Sequence, residues 1–168
     1  MEESLWVWAA ALSCGYISLS DLVVWADRQL LRLEPSPSWL LDLCLARTKD
    51  DALSPLLVAW DRHMESAGTI RPGSEKHDDL FLGFLYLRFE RGDLSMAEFL
   101  NIAGRYSDGS GCELPCEAFY ILLNEIDGGG PTIPSNRPLP DRVVELFAPM
   151  AELARQYLDL LPPRDYRP

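Results

Sequence analysis

Positive charge is scarce in this chain. Of its 168 residues, 15 are Lys or Arg against 26 Asp or Glu, for a formal net charge of −11. Binding to nucleic acid in general, or to an anionic membrane surface, draws its affinity from Lys and Arg, so this balance argues against both. Long apolar runs are missing too, since none approaches the roughly 20 residues that a membrane-spanning helix needs. The apolar stretch Leu5–Leu12 follows Glu2 and Glu3, whereas a secretory leader would place positive charge there. A cytoplasmic location is expected.

Metal-ligating and nucleophilic side chains are equally sparse. His63 and His77 are the only histidines, and the cysteines are Cys14, Cys44, Cys112 and Cys116. Cys14 and Cys44 lie in apolar stretches and read as buried, reduced thiols. The spacing of Cys112 and Cys116 lacks two further soft ligands nearby, so no metal and no other cofactor is expected. The segment from Asp108 faintly resembles a calcium loop, but position 12 of that loop is Phe119, not a bidentate carboxylate. Gly128-Gly129-Gly130 is followed by no Lys-Ser or Lys-Thr and preceded by no strand, which makes it a connection rather than a phosphate cradle. No G-x-S-x-G is present. His63 at a helix end and His77 at a helix start read as surface or capping residues. The pairs Asp50-Asp51 and Asp78-Asp79 fall at expected helix N-termini, where the macrodipole favours negative charge. Nothing here points to an enzyme.

Apolar residues are plentiful at 48%, and 24% of the chain is charged, the balance of an ordinary globular protein. A chain of this length buries about 70% of its unfolded surface and folds without disulfides or metals. Period-2 alternation is absent over any useful length, and the one strand candidate, Pro131–Pro134, is too rich in proline. The expected class is therefore all-α in a single domain spanning 1–168. Eight helices are predicted near 3–14, 19–33, 37–48, 50–67, 77–91, 96–106, 114–126 and 141–161. Pro55 reads as a first helical residue and Pro149 as a bend in a long last helix.

Those helices fall into two similar sets. Gly15-Tyr-Ile-Ser-Leu-Ser-Asp-Leu-Val-Val-Trp-Ala-Asp-Arg28 aligns with Gly92-Asp-Leu-Ser-Met-Ala-Glu-Phe-Leu-Asn-Ile-Ala-Gly-Arg105 at an offset of 77. Each glycine follows an apolar helical stretch, where a left-handed C′ residue ends a helix. Ser18 with Asp21, and Ser95 with Glu98, are S-x-x-[DE] signals that begin the next. The likeness extends upstream (Leu5–Leu12 with Leu82–Phe89) and downstream (Pro37 with Pro115, and Leu53-Ser-Pro with Phe147-Ala-Pro). Two four-helix units are expected, at about 3–70 and 77–161. They divide near Arg71–Ser74, pack into one core because neither can cover its apolar stripes alone, and are followed by a tail at 162–168. The apolar loading of 81–89 and 118–123 predicts helices buried on several sides.

Charge is distributed unevenly between the halves. Residues 1–76 carry seven basic and eleven acidic residues, and residues 77–168 carry eight and fifteen. From Tyr106 to Asn136 there is no Lys, Arg or His at all. That stretch holds Asp108, Glu113, Glu117, Glu125 and Asp127, with Tyr106 and Tyr120 among them. These seven residues are the candidate surface for a cationic partner, because acidic groups without compensation repel one another and attract opposite charge. All five tryptophans lie in the first half. Trp6 and Trp8 are two apart and cannot share a helix face, so one is expected in the core and the other against a neighbouring helix or a partner.

The stretch Ser13–Leu30, followed by a proline and an apolar helix with acidic ends, resembles small cytoplasmic bacterial immunity proteins of polymorphic-toxin systems. The resemblance covers mainly residues 4–66 and implies a protein that binds and neutralises one cognate toxin. It implies no particular contact residue. The expectation is a non-enzymatic binder that occludes the basic active site of a toxin domain, such as a nuclease, with acidic side chains. It would contact neither nucleic acid nor membrane directly. The alternatives are a helical-repeat adaptor for a host protein or peptide, and a small enzyme using carboxylates and a metal.

Overall fold

In a computed structural model of the chain, residues 4–67, 74–110, 116–126, 128 and 138–162 are described. Eight α-helices occur among them: α1 (Leu5–Ser13), α2 (Leu19–Leu30), α3 (Ser38–Cys44), α4 (Lys49–Ala67), α5 (Ser74–Glu90), α6 (Met96–Ser110), α7 (Cys116–Ile126) and α8 (Leu139–Gln156). A 3-10 turn, Leu158–Leu160, follows α8, and no strand occurs among the described residues. The protein is all-α. Pro131–Pro134, the division near Arg71–Ser74 apart from Ser74 itself, and the tail beyond Pro162 lie outside the described residues.

The chain forms two compact units, Met1–Gly73 with Gln156–Pro168, and Ser74–Arg155. Helices α1–α4 make up the first, and α5–α8, up to Arg155, the second. The second unit therefore ends six residues before the expected limit at 161. Tyr157 and Leu160 serve the first unit instead: the Trp6 ring meets Tyr157 edge-on at 5.5 Å, and Trp8 Nε1 donates to the Leu160 carbonyl at 2.6 Å. Trp8 also packs edge-on against Trp25 at 4.4 Å and is 3% exposed, whereas Trp6 is half-buried. The i, i+2 spacing of the two tryptophans produces this division of roles.

The repeated turn is built from the same bonds at the same offset. Gly15 (φ 76°) and Gly92 (φ 82°) both lie in the left-handed region, where a Cβ is strained. Gly15 N–H donates to the Leu12 carbonyl and Tyr16 N–H to that of Ala11; 77 residues on, Gly92 donates to Phe89 and Asp93 to Arg88. Both are Schellman endings. Three residues later the hydroxyls of Ser18 and Ser95 accept from the backbone N–H groups of Asp21 and Glu98. Glu98 also reaches back to Ser95 N–H at 2.8 Å, closing the capping box. Asp21, one methylene shorter, takes the Ser18 hydroxyl instead. Thr48 and Asp51 form a third reciprocal cap at the start of α4, and the Thr48 hydroxyl bond first, then the backbone bonds, hold the Asp51 carboxyl below its ordinary range.

Within the first unit α1 packs on α4, α2 on α3 and α3 on α4; within the second α5 packs on α6 and α6 on α7. Helix α5 is buried at every position from Leu80 to Leu87, as its composition predicted. Gly83 lies against α8, where a Cβ would run into the Met150 carbonyl and stand 2.9 Å from the Ala154 methyl. Phe99, Phe119 and Phe147 are fully buried, with Phe147 stacked on Phe119 at 5.1 Å and edge-on to Phe99 at 4.6 Å. Helix α7 differs from expectation. Between 118 and 123 only Phe119 and Leu122 are buried, and the other four residues are half-exposed. Pro55 also departs from its expected place, sitting inside α4 because Thr48 and Asp51 already start that helix upstream. Pro149 lies inside α8.

Candidate functional site

The seven acidic-stretch residues meet different fates. Tyr106, on the last turns of α6, is half-buried; its ring stacks on Phe81 at 3.7 Å and its hydroxyl donates to Asp78 Oδ1 at 2.6 Å. Tyr120 is also half-buried on α7, close enough to α6 that a Cβ at Gly104 would come within 2.9 Å of its ring. The two tyrosines thus join α6 to α5 and to α7. Glu125 is held by Arg142 of α8 through two bonds of 2.8 and 2.7 Å, and its side chain is 12% exposed. That pair revises the picture of an uncompensated stretch: the compensating charge comes from beyond Asn136. Glu113 and Asp127 lie outside the described residues. Asp108 and Glu117 remain exposed, and neither forms an ion pair among the described residues.

Helix polarity separates these carboxylates. Glu117 stands in the first turn of α7, where the macrodipole favours negative charge. Asp108 and Glu125 stand near the C-terminal ends of α6 and α7, where the partial charge is already negative and neither helix has a basic residue in its last turn. Glu125 is relieved by Arg142. Asp108 has no such cation among the described residues, so an incoming positive charge would improve its environment.

Close by, α5 supplies a polar cluster that its sequence disguised. Asp78 is 6% exposed and accepts the Tyr106 hydroxyl, with His77 Nδ1 at 3.5 Å from the same oxygen. Asp78 therefore does more than sit at a helix start, because α5 begins at Ser74 and places it a turn further in. Burial holds the His77 imidazole below its ordinary value, with Asp78 opposing. Only the tertiary approach of α6 to α5 creates the cluster, and no spacing in the chain announces it.

Among the described residues, each unit has a groove between helices. In the second, Ala118, Ile121 and Leu122 of α7 face Arg142, Glu145 and Leu146 of α8 across about 430 Å³. Each set is an i, i+3, i+4 pattern, one face of its helix. In the first unit, Pro37, Ser38 and Trp39 face Ala59, Arg62, His63 and Ser66 of α4 across about 420 Å³. This groove has basic residues and hydroxyls on its walls, and no acidic residue among its described lining.

Among the described residues, no group of three His, Cys, Asp or Glu side chains is arranged to hold a metal ion, and no helix is long and apolar enough to cross a membrane. Cys14, Cys44 and Cys116 are not joined in disulfides. Cys14 is buried as expected; Cys44 is half-buried, and burial first, then the Asp27 carboxylate, pushes its thiol up to about 12. A thiol held protonated is a poor nucleophile. No protein family, no curated protein and no solved structure matches the chain.

Proposed function

We propose that this chain is a non-enzymatic binding protein that neutralises a cognate bacterial toxin by covering a basic active site. The observation that carries the reading is Asp108, exposed and without an ion pair among the described residues at the negative end of α6, with Glu117 exposed at the start of the next helix. A cation from a partner relieves Asp108 as Arg142 relieves Glu125. The net charge of −11 acts at longer range, accelerating encounter with a basic surface at low salt.

Co-expression with the C-terminal domain encoded by the gene immediately upstream tests the proposal. Rescue of growth together with co-purification is expected, and loss of both overturns it. For a purified complex, Asp108→Lys with Glu117→Lys is expected to slow association at least tenfold at low ionic strength, an effect that shrinks as salt is added.

A further inference from the structure

We infer that the α7–α8 groove of the second unit is a docking site for a basic amphipathic helix of the partner, an inference that rests on the binding reading above and names the chemistry of what binds. The groove is apolar at its walls. Ala118, Ile121 and Leu146 are half-exposed there, so the folded unit leaves apolar surface in contact with water. Its volume of about 430 Å³ is far beyond the roughly 30 Å³ share of one water and admits whole side chains. Burying such anchors in a groove between two helices is a recurrent mode of helix recognition, with apolar residues of the ligand at i, i+3, i+4 and i+7.

Charge selects the occupant. Glu117 precedes Ala118 on α7, Asp141 precedes Arg142 on α8, and both carboxylates are exposed. Arg142 is the single basic residue among the described lining, and its charge is matched by Glu125. Glu117 and Asp141 therefore leave the rim negative around an apolar floor. A helix with an apolar stripe flanked by Lys and Arg meets both features at once. A second copy of this chain would bring the same carboxylates to face their counterparts, which is destabilising. The two helices that form the groove are joined by the stack of Phe119 on Phe147 and by the Arg142–Glu125 pair.

Three synthetic peptides titrated into the full chain provide the test. One is a basic amphipathic helix, the second has the same composition scrambled so that the stripe is lost, and the third keeps the stripe with Lys and Arg replaced by Glu. Binding of the first, at least tenfold tighter than either of the others, is expected. Ala118→Leu fills the groove with apolar atoms and is expected to weaken the first peptide at least tenfold; Leu146→Gln, which makes one wall polar, acts in the same direction if Ala118→Leu fails to fold. Equal binding of the basic helix and its scrambled counterpart, or indifference to both variants, overturns the groove while leaving a basic partner in place. Absence of binding by either basic peptide overturns the groove as well. The toxin-binding reading stands or falls separately on co-expression.

Discussion

Trp6 of α1 stands, at the offset of 77 residues, where Gly83 stands in α5, and the two units diverge from that point inward. In the first unit the indole at this position packs on Tyr157, beyond the end of α8. In the second, the missing side chain lets the backbone of α8 approach at Met150. The cores follow suit. The first unit buries Ala9, Ala10 and Ala11 beside Trp8 and Trp25, whereas the second carries Tyr86, Phe99, Phe119 and Phe147 in mutual ring contact. The grooves diverge as well: Arg62 and His63 line one, Ile121, Leu146 and Glu145 the other. Shared turns specify where helices begin and end, and they leave open what each pair of helices encloses.

The largest expected effect comes from the aromatic core. Phe147→Ala removes a ring shared by Tyr86, Phe99 and Phe119 and is expected to cost about 4 kcal/mol in denaturant unfolding. Leu53→Ala at the matching place in α4, where the side chain is only half-buried, is expected to cost less than half as much. Equal losses would mean that the units are more alike inside than their rings indicate.

Gly83→Ala is next, at about 3 kcal/mol, because the atom in its way is backbone and cannot swing aside. Trp6→Ala is expected to cost about 2 kcal/mol through lost ring contact at a half-buried site. If Gly83→Ala melts with the wild type, α8 is free to shift and the close approach does not constrain the second unit.

Of similar size to the Trp6→Ala loss is the effect of Tyr106→Phe, which keeps the stacking on Phe81 and removes only the hydroxyl from buried Asp78. Leaving that carboxylate short of a donor is expected to cost about 2 kcal/mol, read as a lowered midpoint of thermal unfolding. No loss would show that water replaces the hydroxyl and would restore Tyr106 as a candidate partner contact. Last come the matched caps. Ser18→Ala and Ser95→Ala are each expected to cost about 1 kcal/mol, and a difference of more than about twofold would show that the repeated bonds are not energetically equivalent.

Much of this was legible in the chain because it depends on neighbours in sequence. Gly15, Ser18, Gly92 and Ser95 specify their turns through bonds that span three to five residues, so pattern alone located them. Helix limits were less secure where tertiary demands intervene. Residues 141–161 read as one helix, yet α8 ends at Gln156 and the residues after it complete the first unit around Trp6 and Trp8. The candidate surface was legible only in part: its acidic composition is a property of the chain, but which carboxylates stay available is not. Glu125 and Arg142 are 17 residues apart, and only the packing of α7 with α8 brings them together.

By itself, then, the sequence determined the all-α class, the charge of −11 and the positions of the capped turns, since composition and short-range hydrogen bonding do not depend on how helices meet. Tertiary structure alone decided that Tyr106 turns inward to Asp78, that Glu125 is neutralised, and that Asp108 and Glu117 stay in solvent. It also decided that α7 shows one buried face instead of several, which opens the groove against α8. Each of these depends on which helix faces approach across long stretches of chain, and burial and pairing are properties of that approach.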